Sequence, residues 1–302
     1  MNLLLSNWHE THGQAIVDDF KAVGWNVYAP ITDWGHIGYY QDNRRLRGAK
    51  LITLQEWIDL DNRHIMCGCT EQMHDMARLA DITNSKLMYT VSKNNAEYPH
   101  NSDFLLSPDI QTFNNYPAKY SMLYFYEPRV LNIPKDFRLS MGRNKIKTYI
   151  HKYSQHWKEG YAELEKFEKI YGKEVEIYGK DNRNGVLPLG EVHRHMSESF
   201  FTLYFKEKES YGSMAIESMM LGTPLIALKK FIYDKSISMF VDESNSILGQ
   251  TVEECVEKIN NLKIQDYINL SQNAKKTAKI NTDKKRRREE LKRLLDMYTM
   301  QA

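Results

Sequence analysis

Short apolar runs alternate with segments of helical period from the first residues onward, and this alternation limits the chain to few architectures. Leu3-Leu-Leu-Ser6 suits a buried strand. Thr11 to Val23 sets Ala15, Ile16, Phe20 and Val23 at helical spacing, Gly24 closes that helix, and Trp25–Ala29 returns as a strand. Strand, helix and strand in that order open a doubly wound α/β sheet. Leu51–Leu54, Trp57–Leu60 and His64–Gly68 supply strand and short-helix candidates. Lys86–Val91 and Ser102–Pro108 read as strands, and Glu71–Ile82 as a helix with Met73, Met76, Ala77, Leu79 and Ala80 on one face. The stretch Glu127-Pro-Arg-Val-Leu-Asn-Ile-Pro134 is held extended by its prolines and marks the expected domain boundary. The 302 residues suffice for two domains of ordinary size.

Beyond the boundary the alternation resumes. Phe137–Met141 reads as a strand leading to Gly142, Tyr153–Tyr171 as one long helix, and Glu174–Tyr178 as a strand closed by Gly179. The most distinctive segment follows: Glu209-Ser-Tyr211-Gly212-Ser213-Met214-Ala-Ile-Glu217, then Gly222-Thr-Pro224 ahead of apolar Leu225–Ala227. Ser213–Leu221 has no helix breaker, so it reads as a helix. Gly212 lets the backbone approach a ligand, and the free N–H groups of the first helical turn suit an anion. Glu217 then lies about 6 Å along the axis from the helix start. That offset lets a carboxylate reach ribose hydroxyls while the helix end holds a diphosphate. Glu209, before the turn, faces whatever hangs from the phosphate. The pattern suits a sugar nucleotide.

These residues, with Leu189–Val192 and Met196–Tyr204 as their lead-in, resemble the Glu-x7-Glu signature of retaining glycosyltransferases of GT-B fold. The resemblance spans roughly residues 137–230. It implies two Rossmann-like doubly wound domains facing across a cleft, with an N-terminal acceptor domain over 1–132 and a C-terminal donor domain over 133–280. A basic amphipathic helix over 281–302 would cross back to the first domain. It further implies that Arg143, with Lys147 or Lys145, clamps the diphosphate from a loop after a strand, joined by backbone N–H groups after Gly212. Glu217 would accept from the ribose and Glu209 from the transferred sugar. Val192, Tyr211, Ser213 and Met214 would line the donor, and Gly13 would face its phosphate from a glycine-containing loop. His9 and His12 lie near that loop. Family members often carry a histidine after the strand that ends at Val91; here Ser92 stands there, and His100 is a substitute from the same loop. The implied reaction retains anomeric configuration and needs no metal and no cofactor. The Asp59-Leu-Asp61 triplet reads as surface acids, in keeping with that.

The net charge is +2, but residues 271–293 hold ten Lys/Arg against three acids, and Arg44, Arg45, Arg47 and Lys50 form a smaller basic group. Such clusters suit a polyanion, so Arg44–Lys50 and Lys275–Arg293 are candidate contacts to double-stranded DNA. Against this, apolar residues at 291, 294, 295 and 298 make the last helix amphipathic, with a face that packs on something. The short, Asn/Lys/Tyr-rich chain is similar in style to phage-encoded enzymes that glycosylate hydroxymethylated pyrimidines in DNA. A hydroxyl of such a base is the leading acceptor, beside a cell-envelope glycan or lipid-linked glycan, or a module that binds nucleotide or nucleic acid without transfer. The donor is expected to be a UDP-sugar, glucose or a pentose. No apolar run approaches the roughly 20 residues of a membrane span. Cys67, Cys69 and Cys255 form no disulfide framework and read as reduced thiols in a cytoplasmic setting.

Overall fold

The computed structural model describes residues 1–5, 10–31, 46–68, 73–90, 102–135, 145–209 and 211–301. They fall into two compact units, Met1–Glu127 with Thr282–Ala302, and Pro128–Asn281.

The first unit runs β1 (Asn2–Leu5), α1 (Glu10–Ala22), β2 (Asn26–Pro30), β3 (Lys50–Ile52), α2 (Leu54–Ile58), β4 (Arg63–Cys67), α3 (Met73–Ile82), β5 (Lys86–Thr90), β6 (Phe104–Ser107), α4 (Ile110–Asn115) and β7 (Tyr120–Leu123). The strands form one sheet in the order β3-β2-β1-β4-β5-β6-β7, and every described pairing is parallel. Leu3–Leu5 and Phe104–Leu106 are fully buried, as strands covered on both faces of a parallel sheet must be. Of the Leu51–Leu54 segment, offered as a strand or short-helix candidate, only the first residues are strand, because Thr53 caps α2. The Thr53 hydroxyl accepts the Glu56 N–H while the Glu56 carboxylate accepts the Thr53 N–H, a capping box. Helix α4 and strand β7 were not expected from the sequence.

The second unit runs β8 (Ile146–Tyr149), α5 (Tyr153–His156), α6 (Lys158–Tyr171), β9 (Glu176–Tyr178), α7 (Leu189–Glu198), β10 (Phe201–Tyr204), α8 (Ser213–Met220), β11 (Leu225–Leu228), α9 (Lys229–Ile232), β12 (Ser246–Gly249), α10 (Val252–Asn260) and α11 (Ile264–Asn281). Its sheet is ordered β12-β11-β10-β8-β9 and is again parallel. The expected strand at 137–141 lies outside the described residues, and the first described strand of this unit is β8. The single helix expected over Tyr153–Tyr171 is two, because Trp157 leaves helical geometry at φ −127°, ψ 58°. Gly160 then lets α6 settle against the end of β10: a Cβ there would run into the Phe205 carbonyl oxygen. Ile146, Phe167, Phe201, Leu203, Ile226 and Val252 belong to the core between sheet and helices. Chain order reverses between β8 and β10, and in open α/β sheets the crevice at the carboxyl ends beside such a switch point is where ligands bind.

The last helix, α12 (Lys284–Gln301), belongs to the first unit. Leu291, Leu294, Leu295 and Tyr298 are its buried apolar positions. Its basic run is only partly free. Asp19, fully buried on α1, takes the Arg287 Nε at 2.6 Å, the Arg288 Nε at 2.7 Å and the Tyr124 hydroxyl at 2.7 Å. Arg287 also donates to the Phe125 and Thr282 carbonyls at 3.2 and 3.1 Å. Two of the cations expected to face a polyanion therefore hold the helix on its own unit, whereas Lys284, Lys285, Arg286, Lys292 and Arg293 are exposed.

Candidate functional site

The carboxyl end of β10 leads straight into the Glu209 segment. Tyr204, the last residue of the strand, is fully buried, and its hydroxyl donates to Glu209 Oε2 at 3.2 Å. Burial and the Glu209 charge push the Tyr204 phenol far above its usual range, so it stays a donor. The Lys206 ammonium reaches the same oxygen at 2.6 Å and lies 4.5 Å from the centre of the Trp157 ring. Glu209 is thus oriented by a phenol and an ammonium. Glu207 is committed elsewhere: its carboxylate accepts the Gly160 N–H at 3.1 Å, in the first turn of α6.

Gly212 sits at φ 64°, ψ 56° immediately before α8, which begins without a side-chain cap. A Cβ at 212 would lie 2.6 Å from the Tyr204 hydroxyl oxygen, so glycine is required both by the left-handed backbone and by the phenol that holds Glu209. The first turn of α8 carries no acid to answer its N–H groups. Ser213 and Met214 are half-buried there, and Tyr211 is buried with its ring edge-on to Phe240. Ser218 pins the helix to the sheet through the Thr202 hydroxyl at 2.7 Å and the Thr223 carbonyl at 3.1 Å.

Glu217 lies one turn into α8, partly exposed, with Oε2 3.8 Å from Nε2 of buried His193 on α7. Val192, beside it, is half-buried. Behind the Gly222-Thr-Pro turn, the Lys135 ammonium donates to the Thr223 hydroxyl at 2.8 Å and to the Ser199 carbonyl at 2.5 Å. Burial, then the charge of Lys147, bring Lys135 down to about 7.

Lys145 and Lys147 occupy another place than expected. Lys145 precedes β8 and Lys147 is its second residue, so they lie at the amino end of the strand rather than on a loop after one. Both face Glu176, and Lys147, buried, also donates to the His195 carbonyl at 3.2 Å. Parallel strands put this cluster at the edge of the sheet opposite to that where β10 delivers Glu209. Beyond β8 and Ile150 come His151 and Lys152. The Lys152 N–H donates to the Lys180 carbonyl at 2.7 Å and the Lys180 N–H to His151 Nδ1 at 2.8 Å, tying the turn after β8 to the turn after β9. Arg143 lies outside the described residues.

No protein-family model and no curated protein sequence matches the chain. Solved structures do. Anabaena HepE in complex with UDP superposes with a TM-score of 0.70 at 12% identity, over 98% of this chain and 99% of that one. The lipopolysaccharide outer core galactosyltransferase WaaB gives 0.69 at 11% identity, over 99% and 100% of the two chains. Sucrose-phosphate synthase from Thermosynechococcus elongatus gives 0.65 at 11%, over 100% and 99%. The chain has the GT-B fold. At such low identity the likeness is one of architecture, and the GT-B assignment rests on the two parallel sheets it shares with these enzymes.

In the amino-terminal unit of this GT-B chain, Gly13 is buried inside α1 rather than in a loop. The helix starts at Glu10, earlier than the expected Thr11, and its first turn absorbs the glycine. His12 is buried in the same turn. Its Nε2 lies 3.0 Å from the Thr90 hydroxyl at the end of β5, and its ring stacks on Tyr126 with centroids 4.9 Å apart. His9, Arg44, Arg45, Ser92 and His100 lie outside the described residues, while Lys50 opens β3. Asp59 caps α2, and the Asp61 carbonyl accepts the Asn2 amide. Among the described residues no group of three or more His, Cys, Asp or Glu is placed to hold a metal, and no helix is long and apolar enough to cross a membrane. Cys67 and Cys255 are buried and unbridged, and burial pushes the Cys255 thiol up to about 12.

Sequence reasoning missed Tyr204, Lys206, Lys152 and His193. Lys206, three positions before Glu209 at a strand end, could have been found as a cation able to bond that carboxylate. For His193 no local signal existed, since its neighbours come from distant segments.

Proposed function

We propose that this protein is a glycosyltransferase whose second unit binds a UDP-sugar at the carboxyl ends of β8 and β10. One observation carries the reading. Glu209 and Glu217 flank Gly212 and the uncapped start of α8, beside the strand-order switch of the sheet. In this scheme the α8 N–H groups and nearby cations stabilise the departing diphosphate electrostatically. With Lys145 and Lys147 engaged at the other edge, Lys152 and Lys206 are among the described cations at this edge, and Arg143 keeps the role implied by its motif. Glu217 accepts from the ribose, and Glu209, oriented by Tyr204 and Lys206, accepts from hydroxyls of the transferred sugar. The proposed course retains configuration and leaves the acceptor proton to a phosphate oxygen, with no metal taking part.

The acceptor we favour is a glycan hydroxyl, since the structural relatives include a lipopolysaccharide galactosyltransferase. A hydroxymethylated pyrimidine in DNA is a second reading, carried by the exposed Lys284, Lys285 and Arg286. The test is incubation with a panel of UDP-sugars, first alone and then with hydroxymethylcytosine DNA or a glycan panel, read by mass spectrometry. Release of UDP supports the donor reading. A mass gain on the glycan or on the base identifies the acceptor class. Absence of both UDP binding and UDP release with every donor would sink the proposal.

A further inference from the structure

His193 stands between a backbone amide and the carboxylate assigned to the ribose. Its side chain is 1% exposed. Its Nδ1 accepts the Leu131 N–H at 3.4 Å, and an acceptor at Nδ1 leaves the ring proton of a neutral imidazole on Nε2. That Nε2 is buried, has no hydrogen-bond partner, and stands 3.8 Å from Glu217 Oε2. A buried donor left unpaired costs roughly 1–3 kcal/mol, so the arrangement favours any movement that brings the carboxylate to it. A shift of about 1 Å in the Glu217 side chain brings the pair to ordinary hydrogen-bond length.

We propose that His193 is a positioning residue: its Nε2–H takes one oxygen of Glu217 and so turns the other toward a vicinal diol. The inference rests on the reading of Glu217 as the ribose-holding carboxylate, and it adds the group that sets the geometry of that carboxylate. A side chain that merely filled space would support all ligands of the unit alike. A side chain that aims Glu217 matters only to ligands that carry the diol.

Isothermal titration with UDP and with 2′,3′-dideoxyuridine diphosphate separates these cases in the wild type, His193→Gln and His193→Asn. Both variants lose the ring, but the glutamine amide reaches the place of Nε2, whereas the asparagine amide reaches only the place of Nδ1. The wild type should prefer UDP by about tenfold or more. His193→Asn should lose most of that preference by weakening UDP alone, and His193→Gln should retain it. Donor KM should follow the same order, with kcat within about twofold throughout. Equal weakening of both ligands in both variants would overturn the proposal and leave His193 a packing residue, and unchanged discrimination in His193→Asn would overturn it as well. Wild-type protein that binds both ligands equally would instead refute the ribose role of Glu217. Wild-type protein that binds neither would refute the donor site.

Discussion

The Tyr204 hydroxyl stands 3.2 Å from the Glu209 carboxylate and only 2.6 Å from where a Cβ on Gly212 would lie. One phenol therefore fixes both the acid and the glycine that define the motif. Losing a hydrogen bond to a charged group costs roughly 1.5–3 kcal/mol. Tyr204→Phe should accordingly lower kcat/KM by about tenfold or more, while circular dichroism stays that of the wild type. Gly212→Ala faces both the clash and a left-handed backbone worth about 1–2 kcal/mol. It should lower the urea midpoint as well as abolish UDP binding. Wild-type kinetics in Tyr204→Phe would show that Glu209 needs no such support.

The Asp19 cluster predicts a separation of stability from polyanion binding. Removing one partner from a buried ion pair typically costs 3–5 kcal/mol, and Asp19 serves two guanidinium groups. Asp19→Asn or Arg287→Met should lower the urea midpoint markedly. A triple change of Lys284, Lys285 and Arg286 to Gln should leave the unfolding free energy within about 0.5 kcal/mol of the wild type. If DNA is the acceptor, the triple change should weaken duplex binding and flatten its dependence on salt. An unaltered salt slope would remove α12 from the DNA reading.

The second unit and the last helix were legible to different depths. Ser213–Leu221 showed its helix because nothing in it breaks helical period, and Gly212 and Gly222 marked its ends. The terminal helix was equally open to reading, since Leu291, Leu294, Leu295 and Tyr298 repeat with its period and are the apolar positions that it buries. Strands β8 and β12 were hidden because, unlike the equally short β1 and β11, neither offers an unbroken apolar run: Lys147 and Thr148 interrupt one, and Ser246 and Gly249 leave the other only Ile247 and Leu248. In Ile146-Lys-Thr-Tyr149 a buried lysine also masks the apolar character, a tertiary compensation supplied by Glu176 and the His195 carbonyl. That one strand displaced the expected cation loop, which is why Lys145 and Lys147 were assigned to the wrong edge. The break at Trp157 was illegible because no proline or glycine stands at that position.

Acid sensitivity should centre on His64. Its ring lies between Trp25 and Tyr298, with centroids 4.8 and 5.7 Å away, and its buried Nε2 has no partner. Burial is the main cause that brings this histidine down to about 4, from an ordinary value near 6.5. With the folded value depressed, the unfolded chain binds the extra proton first, so stability present above pH 6.5 is lost as pH falls toward 4. The loss should approach about 2–3 kcal/mol. His64→Phe should flatten that part of the urea-midpoint profile relative to the wild type. Parallel profiles for the two proteins would show that His64 does not govern it.

The two glutamates should fail in different ways when changed. Glu217 is assigned to a part of the donor that does not react, so its contact is equal in ground and transition states, and losing it raises KM with little change in kcat. Glu209 is assigned to the transferred sugar, where charge and shape change during the reaction. Glu209→Gln keeps the volume but removes the charge that Lys206 and Tyr204 organise. It should therefore lower kcat by about a hundredfold while UDP binds as in the wild type. Glu217→Gln should weaken UDP by about tenfold and leave saturated turnover within threefold or so. Steady-state kinetics paired with UDP titrations for the two variants checks the assignment. Should Glu209→Gln act only on KM and Glu217→Gln only on kcat, the donor would lie reversed in the site and the roles of the two carboxylates would have to be exchanged.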